Sequence, residues 1–423
     1  MLLFNPPQWL KAKQTEALKA AQELGWPQKR DEGWKYTSVR ELQALSFANV
    51  APGQNQFQLP TEVKNLVASA DSTLFFYNGE YLKDVSSAVT QEDIVVSSLT
   101  RVLMSAGRLQ ERAKSFIERK PNKNLKNIGL NILANFNQGA YIQIDGGDDS
   151  VKKIAAIHLY GNLINTSEQK PFAVYSRNIY SFAENIEAEF IEIHLSVNQI
   201  QFQASCASDI HLSAGAKVRM AKVVWLGEEA FGFHDVQASL ERDSALEMFD
   251  LNIGGKLIRN EVAVNLSDSG AELNLYNLNI AKPDSHIDNS TSVIHLKGNT
   301  SSEQIVRSVL SDHSKSIFSG KLRIEQDAQK SDASQYCHNL LLSDSAEADA
   351  RPQLEVFADD VKAAHGTTIG QLSAEQLFYL QSRAISKADA EKMLADGFQE
   401  ALIGKIKSSF LKHIVESCVR GLS

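Results

Sequence analysis

The composition is that of a globular protein with enough chain to bury a large core: 423 residues, 43% hydrophobic and 22% charged. The net charge of −8 argues against nucleic acid as the main partner, since that role requires a basic face. The apolar run at residues 1–4 is cut off by Pro6 and Pro7, which makes it too short for a signal peptide, and no run of about 18 apolar residues follows. We therefore predict a cytoplasmic protein with no membrane partner.

The three cysteines do not form a motif. Cys206, Cys337 and Cys418 are far apart and lack C-x-x-C spacing, so we predict buried thiols rather than a disulfide framework or a self-contained metal or cluster site. The sequence also lacks the phosphate-binding pattern G-x-x-x-x-G-K-[ST] and the motifs G-x-S-x-G, H-E-x-x-H and G-x-G-x-x-G. ATPase, hydrolase, zinc-protease and dinucleotide chemistry are therefore not expected of this chain.

Residues 1–139 are predicted to form a mixed, mainly helical module. Good helix formers fill residues 8–24 and end at Gly25, and a second apolar helix is predicted over 128–136. Residues 74–81 read strand, Asn-Gly turn, strand, which predicts a hairpin. The aromatic and basic segment 34–37 could be a binding surface, but we interpret its Trp and Tyr as an anchor onto the rest of the protein.

Residues 140–371 have the two-residue periodicity of β-strands. Because no convincing helix interrupts them, a βαβ sheet is excluded. The pattern leaves two architectures open, a large β-sandwich and a parallel β-helix, and shows no strict repeat length. The predicted strands are 141–144, 155–159, 187–195, 198–202, 209–213, 216–220, 249–253, 261–266, 271–276, 292–296, 317–324 and 354–356.

The segment 352–370 carries most of the candidate chemistry. Asp359 and Asp360 precede His365, and Gly366 with Thr367 would allow a tight turn beside the imidazole. A histidine near paired carboxylates suits a metal or proton-transfer site, although a histidine that merely satisfies a turn fits equally well. The two aspartates could also be the acid and base of a β-helix carbohydrate-active enzyme.

The periodicity changes again after residue 372. The sequence Ser373-Ala-Glu-Gln376 reads as a helix N-cap, and helices are predicted over 374–382, from near Ser386, and over 398–415. Their apolar stripe, which includes Phe378 and Ile414, would either cap the end of the β-core or dock a partner. Residues 372–423 are thus predicted to form a C-terminal helical module.

Scattered histidines and one carboxylate are weaker candidates. Imidazole and carboxylate ligands can hold Fe(II) in transit without the permanence of four thiolates. Taken singly, such histidines are more often ordinary core or surface residues, because sequence gives no mutual geometry. The residues concerned are His234, His286, Asp288, His295, His313 and His338.

Two stretches carry a family resemblance. PQLEVFADDVKAAHGTTIGQL (352–372) followed by EQLFYLQSRAIS (375–386) resembles the SufB/SufD family of iron–sulfur cluster assembly proteins. Val361 and Lys362 before His365, and the W-K-Y-T sequence at 34–37, are more similar to the SufD branch than to SufB. This resemblance implies a right-handed parallel β-helix over residues 140–371, flanked by the N-terminal module 1–139 and the C-terminal module 372–423.

The resemblance also implies a function. The chain would be a non-enzymatic scaffold subunit of a SufBCD complex, with His365 at the interface with a SufB-type subunit as a ligand for transient iron. No cofactor would be bound permanently, and transient iron or a nascent Fe–S cluster would be shared with SufB. A SufC-type ABC ATPase would dock on the C-terminal helices, for which the candidate contacts are Glu375, Phe378, Tyr379 and Arg383.

Two positions depart from the family pattern. Ala363 stands where SufD proteins often carry a cysteine, and Ala346 lies near where SufB has its cluster cysteine. With no thiolate at either place, the resemblance implies that SufB must supply the sulfur ligands. The alternatives left open are the carbohydrate-active enzyme, a purely structural adaptor in which His365 has no chemical role, and a homodimer when the chain is isolated.

Overall fold

The computed structural model describes residues 5–48, 58–119, 121–147, 150–161 and 170–421, so the apolar run at 1–4 lies outside the described residues. The α-helices are α1 Gln8–Leu24, α2 Arg40–Ala44, α3 Thr61–Leu66, α4 Leu99–Met104, α5 Arg108–Ile117, α6 Asn127–Asn135, α7 Ala374–Ser382, α8 Lys387–Ile403 and α9 Ser409–Arg420. The strands are β1 Ser72–Tyr77, β2 Glu80–Tyr81, β3 Val89–Thr90, β4 Ile94–Ser98, β5 Ala140–Ile144, β6 Lys152–Tyr160, β7 Phe172–Phe182, β8 Glu187–Ser196, β9 Phe202–Leu212, β10 Lys217–Leu226, β11 Phe231–Leu240, β12 Ala245–Gly254, β13 Leu257–Leu266, β14 Glu272–Ala281, β15 His286–His295, β16 Ser301–Leu310, β17 Lys315–Ile324, β18 Asp332–Leu341, β19 Glu347–Val356 and β20 Lys362–Gln371.

The strands form two ten-stranded sheets. Sheet I runs β2-β1-β6-β8-β10-β12-β14-β16-β18-β20, and sheet II runs β3-β4-β5-β7-β9-β11-β13-β15-β17-β19. From β6 onward, consecutive strands alternate between the sheets and each pairs in parallel with the strand two places on. The chain therefore winds as a parallel β-solenoid of about seven turns, which confirms the β-helix and excludes the sandwich.

Stacked turns at one corner mark the repeat. Asn185, Gly215, Asp243 and Gly270 all have positive φ, and they occupy equivalent corners of successive coils. A Cβ at Gly215 would lie 2.2 Å from Asn185 Oδ1, and one at Gly270 would lie 2.0 Å from Asp243 Oδ1, so only glycine fits over these side chains. Intervals between register partners along sheet I are 28, 27, 29, 31 and 30 residues from Lys217 to Lys362. This variation explains why the sequence shows no strict repeat.

The interior of the solenoid, meaning the space enclosed by sheets I and II, holds the main apolar core. Leu246 and Met248 of β12 meet Val262 and Val264 of β13 there, and all four are almost fully buried. Alternate residues of each strand face this core, as the two-residue periodicity predicts.

The outer face of sheet II is covered by the N-terminal segments. Trp34 is 1% exposed, donates from Nε1 to the Asn124 carbonyl at 2.7 Å, and places its ring 4.0 Å from the Arg259 guanidinium. Tyr36 lies against Arg351, 3.5 Å from ring centroid to guanidinium carbon. These contacts confirm that the Trp and Tyr of segment 34–37 anchor it to the β-core.

The outer face of sheet I is covered by the C-terminal helices, and this corrects the expectation that they cap the end of the solenoid. Phe410 and Ile414 of α9 pack against Ile193 and Val223 of β8 and β10. Ser408 Oγ donates to Glu189 Oε2 at 2.7 Å, and the same oxygen caps α9 by accepting from the Leu411 N–H at 3.1 Å. The last helix begins at Ser409 and not at residue 398 as predicted, because residues 404–408 form a non-helical connection between α8 and α9.

Several strand predictions were incomplete. Residues 198–201 form a bend rather than a strand. The strand predictions also missed the long strands β7, β11, β16, β18 and β20. The helix over 8–24, the Asn-Gly hairpin and the Ser373 cap are confirmed. Among the described residues, no helix has both the length and the apolar character needed to cross a bilayer.

Candidate functional site: the open end of the solenoid

The last coil leaves both sheets with an open edge. Strand β20 ends sheet I and pairs only with β18, and β19 ends sheet II and pairs only with β17 among the described residues. Each strand is ten residues long; β20 is largely exposed and β19 is mostly half-buried. Free edges of this length are templates for another chain's strands unless something covers them.

His365 lies in the middle of β20, which corrects the prediction that it stands in a turn between sheet and helix. It pairs in register with Gln335 of β18, whose side chain is buried in the interior. Parallel neighbours in register face the same side of a sheet, so the exposed His365 lies at the open mouth of the interior. Gly366 serves the strand rather than a turn, because a Cβ there would lie 3.1 Å from the Tyr336 ring.

Apolar side chains surround this mouth. Exposed fractions are 39% for Leu342 and Val356, 52% for Phe357 and 49% for Ile369. One coil inward, the register partners of Val356 and Ile369 are only 0% and 5% exposed, at Ile324 and Asn339. Such an apolar rim beside open strand edges is typical of an interaction surface.

Helix α7 is a second exposed surface. Phe378 is 72% and Tyr379 57% exposed, and no residue of α7 is buried. Arg383 lies beside Tyr379, 5.4 Å from guanidinium carbon to ring centroid, and Glu375 is exposed in the first turn. The predicted apolar stripe is thus wrong at Phe378, which faces solvent rather than the core.

Asp359 and Asp360 are exposed on the turn between β19 and β20. The Asp360 backbone joins the stacked turns, since its carbonyl accepts from Lys330 N at 2.6 Å and its N–H donates to Gln329. A general acid for glycoside hydrolysis needs a water-poor site that raises its pKa, and solvent surrounds both carboxylates here.

His286 and Asp288 belong to a structural network. Arg259 is 1% exposed and pairs with Glu261 and Asp288, while Thr37 Oγ1 donates to Asp288 and lies 3.2 Å from His286 Nε2. Burial alone would lower the pKa of Arg259, but the Asp288 and Glu261 charges raise it above its usual value. The network ties segment 34–37 to β13 and β15, which agrees with a structural interpretation of this region.

The other histidines separate by location. His295 is buried between Thr300 and Ser302, with both ring nitrogens hydrogen-bonded, and burial lowers its pKa to about 4. His313 is exposed on a turn, and His338 of β18 contacts Thr368 of β20 at 2.9 Å. Among the described residues, His365 forms no group of donors close enough to hold one metal ion with these histidines or with His286 and Asp288.

One buried cluster escaped the sequence-based predictions. Glu192 and His194 of β8 meet His234 of β11 in the interior, and one donor atom from each lies within 4.8 Å of the others. His234 is one of the scattered histidine candidates in the sequence, whereas Glu192 and His194 are not among the predicted site residues. A usable signal was the polar Glu and His at alternate, interior-facing positions of an otherwise apolar strand.

The cysteines are buried as predicted. Cys206, Cys337 and Cys418 are all at most 2% exposed, and burial raises the pKa of each thiol, to about 11 for Cys337 and about 12 for Cys418. Thiolates are the form that binds iron, so none of the three is prepared as a cluster ligand.

The chain is thus a parallel β-solenoid with helices on both outer faces and an open end that bears an exposed histidine. Residues 163–398 match the family described as SUF system FeS cluster assembly, SufBD core domain, and the chain belongs to this family. It is 26% identical over 397 residues to the iron–sulfur cluster assembly protein SufD of Escherichia coli, covering 92% of this chain and 88% of that protein. It is 25% identical over 426 residues to SufD of Bacillus subtilis, covering 98% and 94%.

Proposed function

We propose that this chain is a cytoplasmic, non-catalytic SufD-like subunit of a SufBCD-type complex that assembles iron–sulfur clusters. The observation that carries the proposal is the exposed His365 on the open edge strand β20. The similarity to SufD proteins over most of the chain supports the choice of partners.

The open end suits a SufB-type subunit of similar fold. Two solenoids that meet end to end would continue both sheets, satisfy the free backbone groups of β19 and β20, and cover the apolar rim. In this arrangement His365 lies at the joint, at the mouth of the interior. Its imidazole can hold transient iron beside sulfur ligands from the partner, since Ala363 supplies none.

The exposed face of α7 suits a SufC-type ATPase. Helices α8 and α9 are held to sheet I by buried apolar contacts, while α7 makes its main contacts with α8. Phe378, Tyr379 and Arg383 are the kinds of residue that dominate binding energy at interfaces. Their exposure on a supported helix is the reason to assign the docking site there.

Replacing Phe378 and Tyr379 together with serine should reduce capture of the ATPase by at least about tenfold, because two exposed aromatic anchors are lost. Both side chains face solvent, so the melting temperature should be nearly unchanged. The measurement is ATPase recovered on the tagged chain after co-expression. Met393→Ser on α8, at a residue 52% exposed, is the matched control, and full capture by the double variant would place the docking site elsewhere.

The complete proposal is tested by purifying the tagged chain from its own cells and identifying its partners by mass. A SufB-type subunit and a SufC-type ATPase should copurify, and the isolated chain should hold no stoichiometric Fe–S chromophore and hydrolyse no ATP. A chain recovered only as a homodimer, or one with polysaccharide-cleaving activity, would contradict the proposal.

A further inference from the structure

The buried cluster of Glu192, His194 and His234 has the composition of a metal site. Two imidazoles and one carboxylate are a donor set used for zinc and for non-haem Fe(II). Glu192 and His194 come from sheet I and His234 from sheet II, so the three donors converge from opposite walls of the interior. We propose that this cluster binds one divalent transition-metal ion, Zn²⁺ or Fe²⁺, which links the two sheets.

His234 provides an observation that hydrogen bonding does not explain. Its side chain is 1% exposed, yet within the described part of the chain neither ring nitrogen has a hydrogen-bond partner. Its ring lies 4.4 Å from the His194 ring, centroid to centroid, with an interplanar angle of 66°. Buried polar groups are normally paired, and a metal ion held with Glu192 and His194 would occupy the free nitrogen.

The other two donors are already oriented by neighbours. Tyr160 Oη lies 2.8 Å from His194 Nδ1, which leaves Nε2 aimed at Glu192 Oε1, also at 2.8 Å. Outer contacts of this kind fix the tautomer and direction of metal-bound histidines.

The Glu192 carboxylate is also oriented by hydrogen bonds from its neighbours. Its Oε2 accepts hydrogen bonds from Tyr180, Asn178 and Ser208 at 2.6, 3.0 and 2.9 Å. An ion would therefore bind Oε1 and replace the present contact of that oxygen with His194 Nε2.

The distances between the three donor atoms are short enough for them to bind one ion after small side-chain movements. Bonds of about 2.0–2.2 Å to the metal set the donors of a tetrahedral site roughly 3.4 Å apart, against a present spread of up to 4.8 Å. The nearby cation Lys222 is satisfied within the next coils, by Asp250 at 3.2 Å and Asn260 Oδ1 at 2.9 Å. Its charge is thus compensated without Glu192.

The ion would enter during folding. Towards the open mouth, Val306, Phe318 and Cys337 form an apolar cluster in the interior, and the triad is closed from solvent. Metal capture coupled to the folding of the coils that carry β8 and β11 needs no channel. The ion is separate from the transient iron proposed at His365, and its test uses no partner subunit.

The test is the metal content of the full chain, purified with a histidine-free tag from cells grown with added Zn²⁺ or, in a second arm without oxygen, with added Fe²⁺. About one ion per chain is expected in one arm. His234→Gln should hold at least about tenfold less, since even outer contacts change metal affinity by that much. His413→Gln, at an exposed histidine of α9, should match the parent chain.

Two outcomes would overturn the site: a parent chain free of metal in both arms, or His234→Gln with undiminished metal. Because the variant could misfold, X-ray absorption of the metal-loaded parent chain gives an independent answer. Nitrogen and oxygen neighbours with imidazole scattering are expected. A shell without imidazole scattering would reject the triad.

Discussion

Replacing Arg259 with alanine is expected to lower the free energy of unfolding by about 3–5 kcal/mol, because it leaves two buried carboxylates without their cation. Glu261 and Asp288 are both nearly inaccessible and both pair with this guanidinium. The variant also loses the guanidinium on which the Trp34 ring packs. The N-terminal anchor should therefore loosen together with the sheet.

The loss should depend on pH. Burial already raises the pKa of Glu261 with Arg259 present, and removing the cation should raise it further. Consider a carboxyl whose pKa is higher in the folded state than in the unfolded state. Its protonation stabilises the folded state fully at pH values below the unfolded-state pKa, and this stabilisation is lost as the pH rises through the folded-state pKa. The loss in free energy of unfolding caused by Arg259→Ala should therefore be smaller at about pH 5 than at neutral pH.

Thermal and denaturant unfolding of the parent chain and the variant at both pH values measures this effect. Arg323→Ala is the matched control, since Arg323 also pairs with two carboxylates, Glu325 and Glu355, but on a partly exposed surface. The control should shift the melting temperature much less. Equal shifts for the two arginines would mean that the buried network does not hold the N-terminal segment.

The sequence predicted strands where both faces of a strand carry β-favouring residues. Residues 187–195 form β8, with Ile191 and Ile193 under the C-terminal helices and Phe190 in the interior. Strand prediction failed where the residues that face the solenoid interior are polar. Strand β18 buries Gln335 and Asn339, and β20 carries few β-favouring side chains, so neither has the alternation that marks a strand.

The buried triad could not be predicted from spacing. Its members come from two sheets, and their proximity depends on coils of unequal length, as in the interval of 36 residues between the register partners His158 and His194. His365 was found through its motif, but its position on an open edge strand required the pairing of β18 with β20. The exposure of Phe378 depends on how α8 packs, which the local pattern of α7 does not encode.

Replacing His365 with alanine is expected to abolish cluster assembly while leaving the complex intact. The histidine is exposed, and no hydrogen bond to it is found among the described residues, so the free energy of unfolding should change by no more than about ±0.5 kcal/mol. Its chemical contribution should be large, because Ala363 leaves no neighbouring thiol to replace the imidazole as an iron ligand.

Iron and sulfide content of the reconstituted complex, with partner recovery and a thermal melt alongside, measures this expectation. His313→Ala, at another exposed histidine of the solenoid, should assemble clusters normally. A normal cluster yield from His365→Ala in an intact complex would leave the chain as a purely structural adaptor.

The central claim is that the open end formed by β19 and β20 meets a SufB-type subunit. A photo-crosslinking residue placed at Thr367, two residues from His365 on β20, tests this directly in the complex from the protein's own cells. We predict a crosslink from position 367 to the SufB-type subunit and none from the exposed control position Leu18 on α1. Crosslinks from 367 only to a second copy of this chain, or to no protein, would contradict the claim.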